Sequence, residues 1–342
     1  MRQSLSDIKP YKTPKVQGLG LQSNTNRMGP NPVKDRMAKL LADINLNNYP
    51  DNEGKALRQA MGHLYGLDPA SFLITNGSNE AFDLIFKTFL NPGETVAFPS
   101  PSYSMYPYYS KANAVNFVEV PLDEHFQLDS NAFLDNDAKL LIICSPNNPT
   151  GNTIRPETIE KVLASGRLLV VDEAYAEFAH DDWIRRINEF PNLIVTRTLS
   201  KAYGLAGLRL GYLATQPKKV DLIWRARLPY NVNALSQAVA TAAMNEQTFV
   251  KTYVSMILQQ RPLWTEKLTQ RGFSVYPSDS NFILMEVPSG VDRDGLVENL
   301  MDAGVIIRSS GIHPRLKNCV RITIGTPQDG DILFKALDEV LA

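Results

Sequence analysis

The strongest constraint on this chain is a series of short apolar or β-branched runs that recur between helical stretches. They are Phe72–Thr75, Thr95–Phe98, Val115–Val120, Leu140–Cys144, Leu168–Val171 and Leu193–Thr196. Each is too short for a typical core helix, and each reads as a strand buried on both faces. Strands alternating with helices predict an α/β fold with a mostly parallel central sheet covered by helices. In such sheets ligands bind beyond the carboxyl ends of the strands, so the residues after each strand bear most directly on function.

The flanking regions read differently. Residues 1–30 are interrupted by Pro10, Pro14, Gly18, Gly20, Gly29 and Pro30 and are loop-like. Helical spacing appears over Val33–Ile44. A turn-rich connector, 45–51, leads to a helix from about Gly54 to Tyr65. After Tyr212 the sheet pattern stops. Residues 218–270 read as long helices broken at Pro229 and Pro262. Strands at Asn281–Val287, Val305–Arg308 and Val320–Ile324 then mix with helices at Asp294–Ala303 and Asp331–Leu341, a smaller α+β domain. The expected organisation is an arm with its first helix, 1–45, packing on the small domain. A large domain, 46–245, and a small C-terminal domain, 246–342, follow.

Composition excludes some function classes. With 342 residues, 44% hydrophobic and 21% charged, the chain is of ordinary globular make-up. A formal net charge of −1 gives no reason to expect a nucleic-acid or anionic-membrane partner. No apolar run is long enough to span a bilayer, and the polar residues 1–15 lack a signal core. Cys144 and Cys319 lie in apolar runs and read as buried free thiols, which fits a cytoplasmic protein. His63, His125, His180 and His313 are scattered, with no metal-ligand spacing.

The stretch from Thr198 to Tyr212, TLSKAYGLAGLRLGY, follows the Leu193–Thr196 run. Positive charge or desolvation can turn a lysine placed there toward the neutral amine, a nucleophile that forms Schiff bases. Arg209 and the hydroxyls of Thr198 and Ser200 suit a phosphate dianion. A lysine beside a phosphate clamp is what pyridoxal 5′-phosphate (PLP) requires.

Other strand ends carry candidate partners, each with a plain structural alternative. Ser78 and Asn79, after Gly77, stand at a helix start that either binds phosphate through free N–H groups or is merely capped. Asp172 directly follows a buried strand and either caps a turn or pairs with a cation such as a protonated pyridine nitrogen. Tyr175 is within reach of that ring's phenolic oxygen. Ser145-Pro146-Asn147-Asn148-Pro149-Thr150-Gly151 is either an ordinary turn or a rigid loop presenting an amide. Tyr103 is followed at close spacing by Tyr106, Tyr108 and Tyr109, for each of which core packing is an alternative. Arg321 interrupts an apolar strand. It is either an edge-strand charge or, with Arg308, one of two arginines converging on an anion.

Together these motifs span nearly the whole chain and resemble the PLP-dependent fold type I aminotransferases, among them the histidinol-phosphate aminotransferases. The resemblance implies that Lys201 is the Schiff-base lysine and Asp172 the partner of the pyridine nitrogen. Tyr175 and Asn148 would be the pair on the ring oxygen, and Tyr103 the stacking aromatic. Ser78, Asn79, Thr198, Ser200 and Arg209 would form the phosphate cup. Tyr49 would reach the neighbouring subunit's cofactor, as Tyr11 would reach its substrate, which implies a homodimer. Arg321, Arg308, Tyr11, Asn26 and Asn148 would hold the substrate. One departure stands out: the family usually has Asn-Glu-Asn-Pro where this chain has Asn24-Thr25-Asn26-Arg27.

The activity so implied is amino transfer between histidinol phosphate and 2-oxoglutarate, in histidine biosynthesis. An aromatic amino-acid aminotransferase and a threonine-phosphate decarboxylase share much of the scaffold. A non-catalytic regulator on this fold is disfavoured by the presence of Lys201.

Overall fold

The computed structural model describes residues 18–180, 182–310 and 313–342. In chain order the strands are β1 (Leu19–Gly20), β2 (Phe72–Thr75), β3 (Thr95–Ser100), β4 (Asn116–Pro121), β5 (Leu140–Cys144), β6 (Leu168–Asp172) and β7 (Leu193–Thr198). They continue with β8 (Gly211–Ala214), β9 (Ser274–Val275), β10 (Phe282–Glu286), β11 (Val305–Ile306), β12 (Arg308–Ser309) and β13 (Cys319–Thr323). Among the described residues, no helix is long and apolar enough to cross a membrane.

Seven strands form one sheet in the order β2-β8-β7-β6-β5-β3-β4. Pairings among β3 to β7 are parallel, whereas β8 runs antiparallel to both β7 and β2. The sequence pattern names no strand at β8, because Gly211 and Ala214 dilute its apolar signal. Its reversed direction matters: Gly211 lies in register with both Thr75 and Thr198, at the carboxyl ends of β2 and β7.

Alternate residues of the central strands feed two separate cores. Leu141, Ile143, Leu169, Val171 and Val195 enter one, while Leu140, Ile142, Val170 and Ile194 enter the other with Phe82, Ile85 and Phe86 of the helix Ser78–Phe89. Each such aliphatic side chain contributes about 1.5–3 kcal/mol on burial. That double burial is why the strands read as continuous apolar runs, and why polar residues appear only where they end.

A second, four-stranded antiparallel sheet has the order β12-β13-β10-β9. The helix Thr248–Thr269 runs through Pro262 unbroken, against the sequence expectation. Pro262 is exposed, so water can reach the carbonyl that loses its helical donor. The arm also differs from expectation. Its β1 pairs with β11, but the helix Met37–Ala42 packs on the helix Ala234–Asn245, within the segment assigned to the large domain. Leu19 and Leu21 are the buried anchors of the strand end, whereas the helix Met37–Ala42 buries no residue fully.

Candidate active site

The carboxyl ends of β2, β3, β5, β6 and β7 lie on one edge of the large sheet, and the polar residues after them converge there. Beyond β7, buried Leu199 anchors a loop that presents half-buried Lys201. The Lys201 amine donates to the Ser23 carbonyl at 2.9 Å and lies 5.6 Å from the centre of the Tyr175 ring. Desolvation lowers its pKa to about 7, with Arg321 and Arg209 acting in the same direction and Asp172 against. A large share of this amine is therefore neutral near pH 7, the form that attacks carbonyls and takes protons.

Asp172 ends β6 and is buried. Its Oδ2 accepts from the Tyr106 hydroxyl at 2.9 Å and its Oδ1 from Thr196 at 3.2 Å. Burial raises its pKa to about 6, against these two donors. Tyr106 and Thr196 escaped the sequence reading. Tyr106 follows Tyr103 by one helical turn, and that spacing was the available signal. Tyr103 itself is half-buried and stands edge-on to Tyr106, ring centres 5.5 Å apart.

The helix Ser78–Phe89 begins after Gly77, and no side chain caps it. The N-cap position is taken by Gly77, which has no side chain, so Ser78 and Asn79 stand inside the first turn. Asn79 instead accepts from the Tyr109 hydroxyl at 2.8 Å. Thr198 donates to Ser200 Oγ at 3.0 Å, and Arg209, held in the left-handed region at φ 52°, donates to the Ala206 carbonyl at 2.9 Å. Two glycines keep the cradle open. A Cβ on Gly77 would come within 2.8 Å of the Arg209 guanidinium, and one on Gly211 within 2.4 Å of the Ser78 nitrogen. Hydroxyls, a helix start and one guanidinium around such a cradle fit a phosphate dianion. With the lysine and the buried carboxylate, the residues present fit PLP.

At the other end of the site the second sheet contributes β12 and β13. Arg308 and Arg321 are directly opposite each other across these strands. Arg321, buried, donates to the Gln22 carbonyl at 2.9 Å and to the Asn148 side-chain oxygen. Tyr175 is buried, its pKa raised by burial to about 12 with Arg321 acting against. Its hydroxyl accepts from the Asn24 amide at 3.0 Å. Asn24 was missed as a site residue, since nothing in its spacing links it to Tyr175. Asn26 donates to the Ala202 carbonyl at 3.1 Å, which fastens the arm to the lysine loop, and accepts from the Met28 N–H at 2.9 Å within the arm.

Two expected residues stand apart. Tyr49 is 80% exposed and stacks on Tyr230 at 4.5 Å, away from these groups. Tyr11 lies outside the described residues.

Residues 16–337 match the family model "Aminotransferase class I and II". The chain is 36% identical to the histidinol-phosphate aminotransferase of Parabacteroides distasonis, covering 98% of this chain and 96% of that one. It is 35% identical to the same-named protein of Christiangramia forsetii, covering 99% and 97%. The solved structure of histidinol-phosphate aminotransferase from Sinorhizobium meliloti in complex with pyridoxal-5′-phosphate superposes with a TM-score of 0.90 at 27% identity, covering 100% and 97%. The near-complete family match and the cradle built around Lys201 establish that the chain belongs to the class I and II aminotransferases and is a PLP-dependent enzyme of fold type I.

Proposed function

We propose that the enzyme moves an amino group between histidinol phosphate and 2-oxoglutarate, giving imidazole acetol phosphate and glutamate. The observation that carries this reading is the Arg308–Arg321 pair. Like charges directly opposite across two strands repel, and an anion between them turns that repulsion into a clamp. The pair suits both a phosphate ester and a carboxylate of glutamate, as a transaminase with these two donors requires. The names of the full-length relatives support the same substrate.

When bound, PLP supplies a carbonyl for the substrate's amine and a pyridinium ring that takes up electrons from the substrate's α-carbon. Lys201 would hold the cofactor, and its neutral side chain would take up the proton of the substrate's α-carbon and hand it on. Asp172 would keep the pyridine nitrogen protonated. Tyr175 and Asn148 would hydrogen-bond the ring oxygen, and Tyr103 would stack on the ring. Ser78, Asn79, Thr198, Ser200 and Arg209 would hold the phosphate.

The working form in this reading is a cytoplasmic homodimer, with residues 46–245 as the cofactor-binding unit and 246–342 as the smaller one. Tyr49, with Tyr11, would complete the neighbouring site. The exposure of Leu46, Tyr49, Leu228 and Tyr230 supports a covering subunit there.

Amino transfer to 2-oxoglutarate should be faster from histidinol phosphate than from phenylalanine. The reverse preference would remove this substrate and leave the reaction class standing. Arg308→Ala should raise KM for histidinol phosphate about tenfold or more, as loss of a charged hydrogen bond does, and for glutamate less. Equal losses would show that Arg308 does not touch the phosphate.

A further inference from the structure

Asn24 is among the most tightly specified residues of the arm, although it belongs to no helix or strand. It is 1% exposed and sits in the left-handed region at φ 53°, which asparagine tolerates better than most residues. Its N–H donates to Thr323 Oγ1 at 2.9 Å, and its carbonyl accepts from the Asn281 amide at 3.1 Å. The Thr323 hydroxyl is in turn tied to the Leu21 carbonyl at 2.7 Å. The second sheet thereby holds Asn24 from two sides, and the side chain is left to reach across to Tyr175.

The direction of that bond has a chemical consequence. An amide nitrogen can only donate, so the Tyr175 oxygen accepts. A phenol has one proton. With its oxygen engaged by Asn24, that proton is left to point to another acceptor. We propose that Asn24 is a positioning residue that sets the polarity of the Tyr175 hydroxyl, so that Tyr175 donates its proton to the cofactor's phenolic oxygen instead of accepting there. This rests on the reading of Tyr175 as the group facing that oxygen.

A donor aimed at a phenolic oxygen favours its charged form and lowers the pH at which it ionises. An acceptor in its place does the opposite. Asn24→Asp keeps the shape and the tolerance of the left-handed backbone but replaces the donor with an acceptor. The phenol would then turn its proton to the new carboxylate and its lone pairs to the cofactor. The charged groups around Tyr175 are Arg321, Asp172 and Lys201, and a new carboxylate would act on all of them. A Tyr175→Phe background separates that general charge effect from the polarity of the hydroxyl.

The test is the pH midpoint of the visible absorbance of the PLP-loaded protein. Tyr175→Phe and Asn24→Asp should each raise it by about one pH unit. Most of the Asn24→Asp rise should vanish once Tyr175 is replaced by phenylalanine. An equal rise in both backgrounds would overturn the proposal, since Asn24 would then act without the hydroxyl. A midpoint unmoved by Tyr175→Phe alone would instead overturn the cofactor-facing reading of Tyr175. Asn24→Gly, which retains the left-handed backbone without the amide, should raise the midpoint by a smaller amount, again only when Tyr175 is present. That pair decides the matter should the aspartate variant fail to fold or to hold PLP.

Discussion

Asp172 and Glu173 are adjacent, buried carboxylates on opposite faces of the large sheet, and their surroundings differ in kind. Asp172 receives only neutral donors, the hydroxyls of Tyr106 and Thr196 and the Ala174 N–H. Glu173 takes two bonds from the Arg197 guanidinium, at 2.9 and 2.7 Å, and one from the Trp183 N–H at 2.6 Å. The same arginine reaches Asp182 at 2.7 Å and the Tyr65 hydroxyl at 3.3 Å, which shares a 2.6 Å bond with Tyr212. Burial lifts the Glu173 carboxyl with Arg197 pulling against it. Burial also works against the Arg197 charge, but Glu173 outweighs that and holds the guanidinium well above its usual range. On the underside Glu173 therefore finds its cation within the protein. The upper face leaves a carboxylate whose cation must come from outside. A buried group left incomplete marks a site, and a completed one marks a structural joint.

The largest expected effect lies on the upper face. Asp172→Asn should slow amino transfer by about 10²–10³-fold, the range for removing one pre-placed electrostatic partner, measured as kcat/KM. The cofactor-free protein should respond in the opposite sense. The Asp172 pKa of about 6 in the fold, up from 3.8, means that the folded state holds a proton the unfolded chain has released between those values. Stability from this group is full below about pH 4 and is lost as pH rises toward about 6, by about 3 kcal/mol in all. An asparagine at this position cannot ionise, so urea denaturation of the cofactor-free variant should show no such fall. A variant that follows the wild-type pH curve would locate the titration elsewhere.

On the underside the order reverses. Arg197→Met should lower unfolding free energy by about 3–5 kcal/mol at pH 7.5, since Glu173 and Asp182 lose their buried cation. The loss should shrink as pH falls and the carboxyls take up protons. A variant as stable as wild type would mean that the underside network contributes nothing net.

How much of this was legible in the sequence follows the same division. Lys201, Asp172, Ser78 and Asn148 could be found because the strands are mostly apolar, so the polar clusters at or just beyond their ends stand out, and Arg209 through its spacing from Lys201. Tyr106 and Thr196 lie inside their elements, where an aromatic or a β-branched residue looks like packing whether or not its hydroxyl donates. The Asn24–Tyr175 bond joins residues 151 positions apart, which no local periodicity encodes. The facing of Arg308 and Arg321 was open until the register of β12 on β13 was known, because a shift by one residue would send their side chains to opposite faces. Pro262 was misread because its effect depends on which helix face meets water.

The smallest expected effect separates the two hydroxyls on Asp172. Both stabilise its charged form, and Tyr106 does so through the shorter bond, 2.9 against 3.2 Å. Tyr106→Phe removes one oxygen and leaves the ring among Phe82, Phe98 and Tyr103, so its apolar packing is retained. In the cofactor-free protein it should move the end of the pH-dependent stability loss upward from about 6, by about one unit. Thr196→Val, nearly the same shape, should move it less. If Thr196→Val shifted it more, the carboxylate would be leaning on β7 and not on the tyrosine, and Asp172 would be held by the sheet that forms it and not by the helix above.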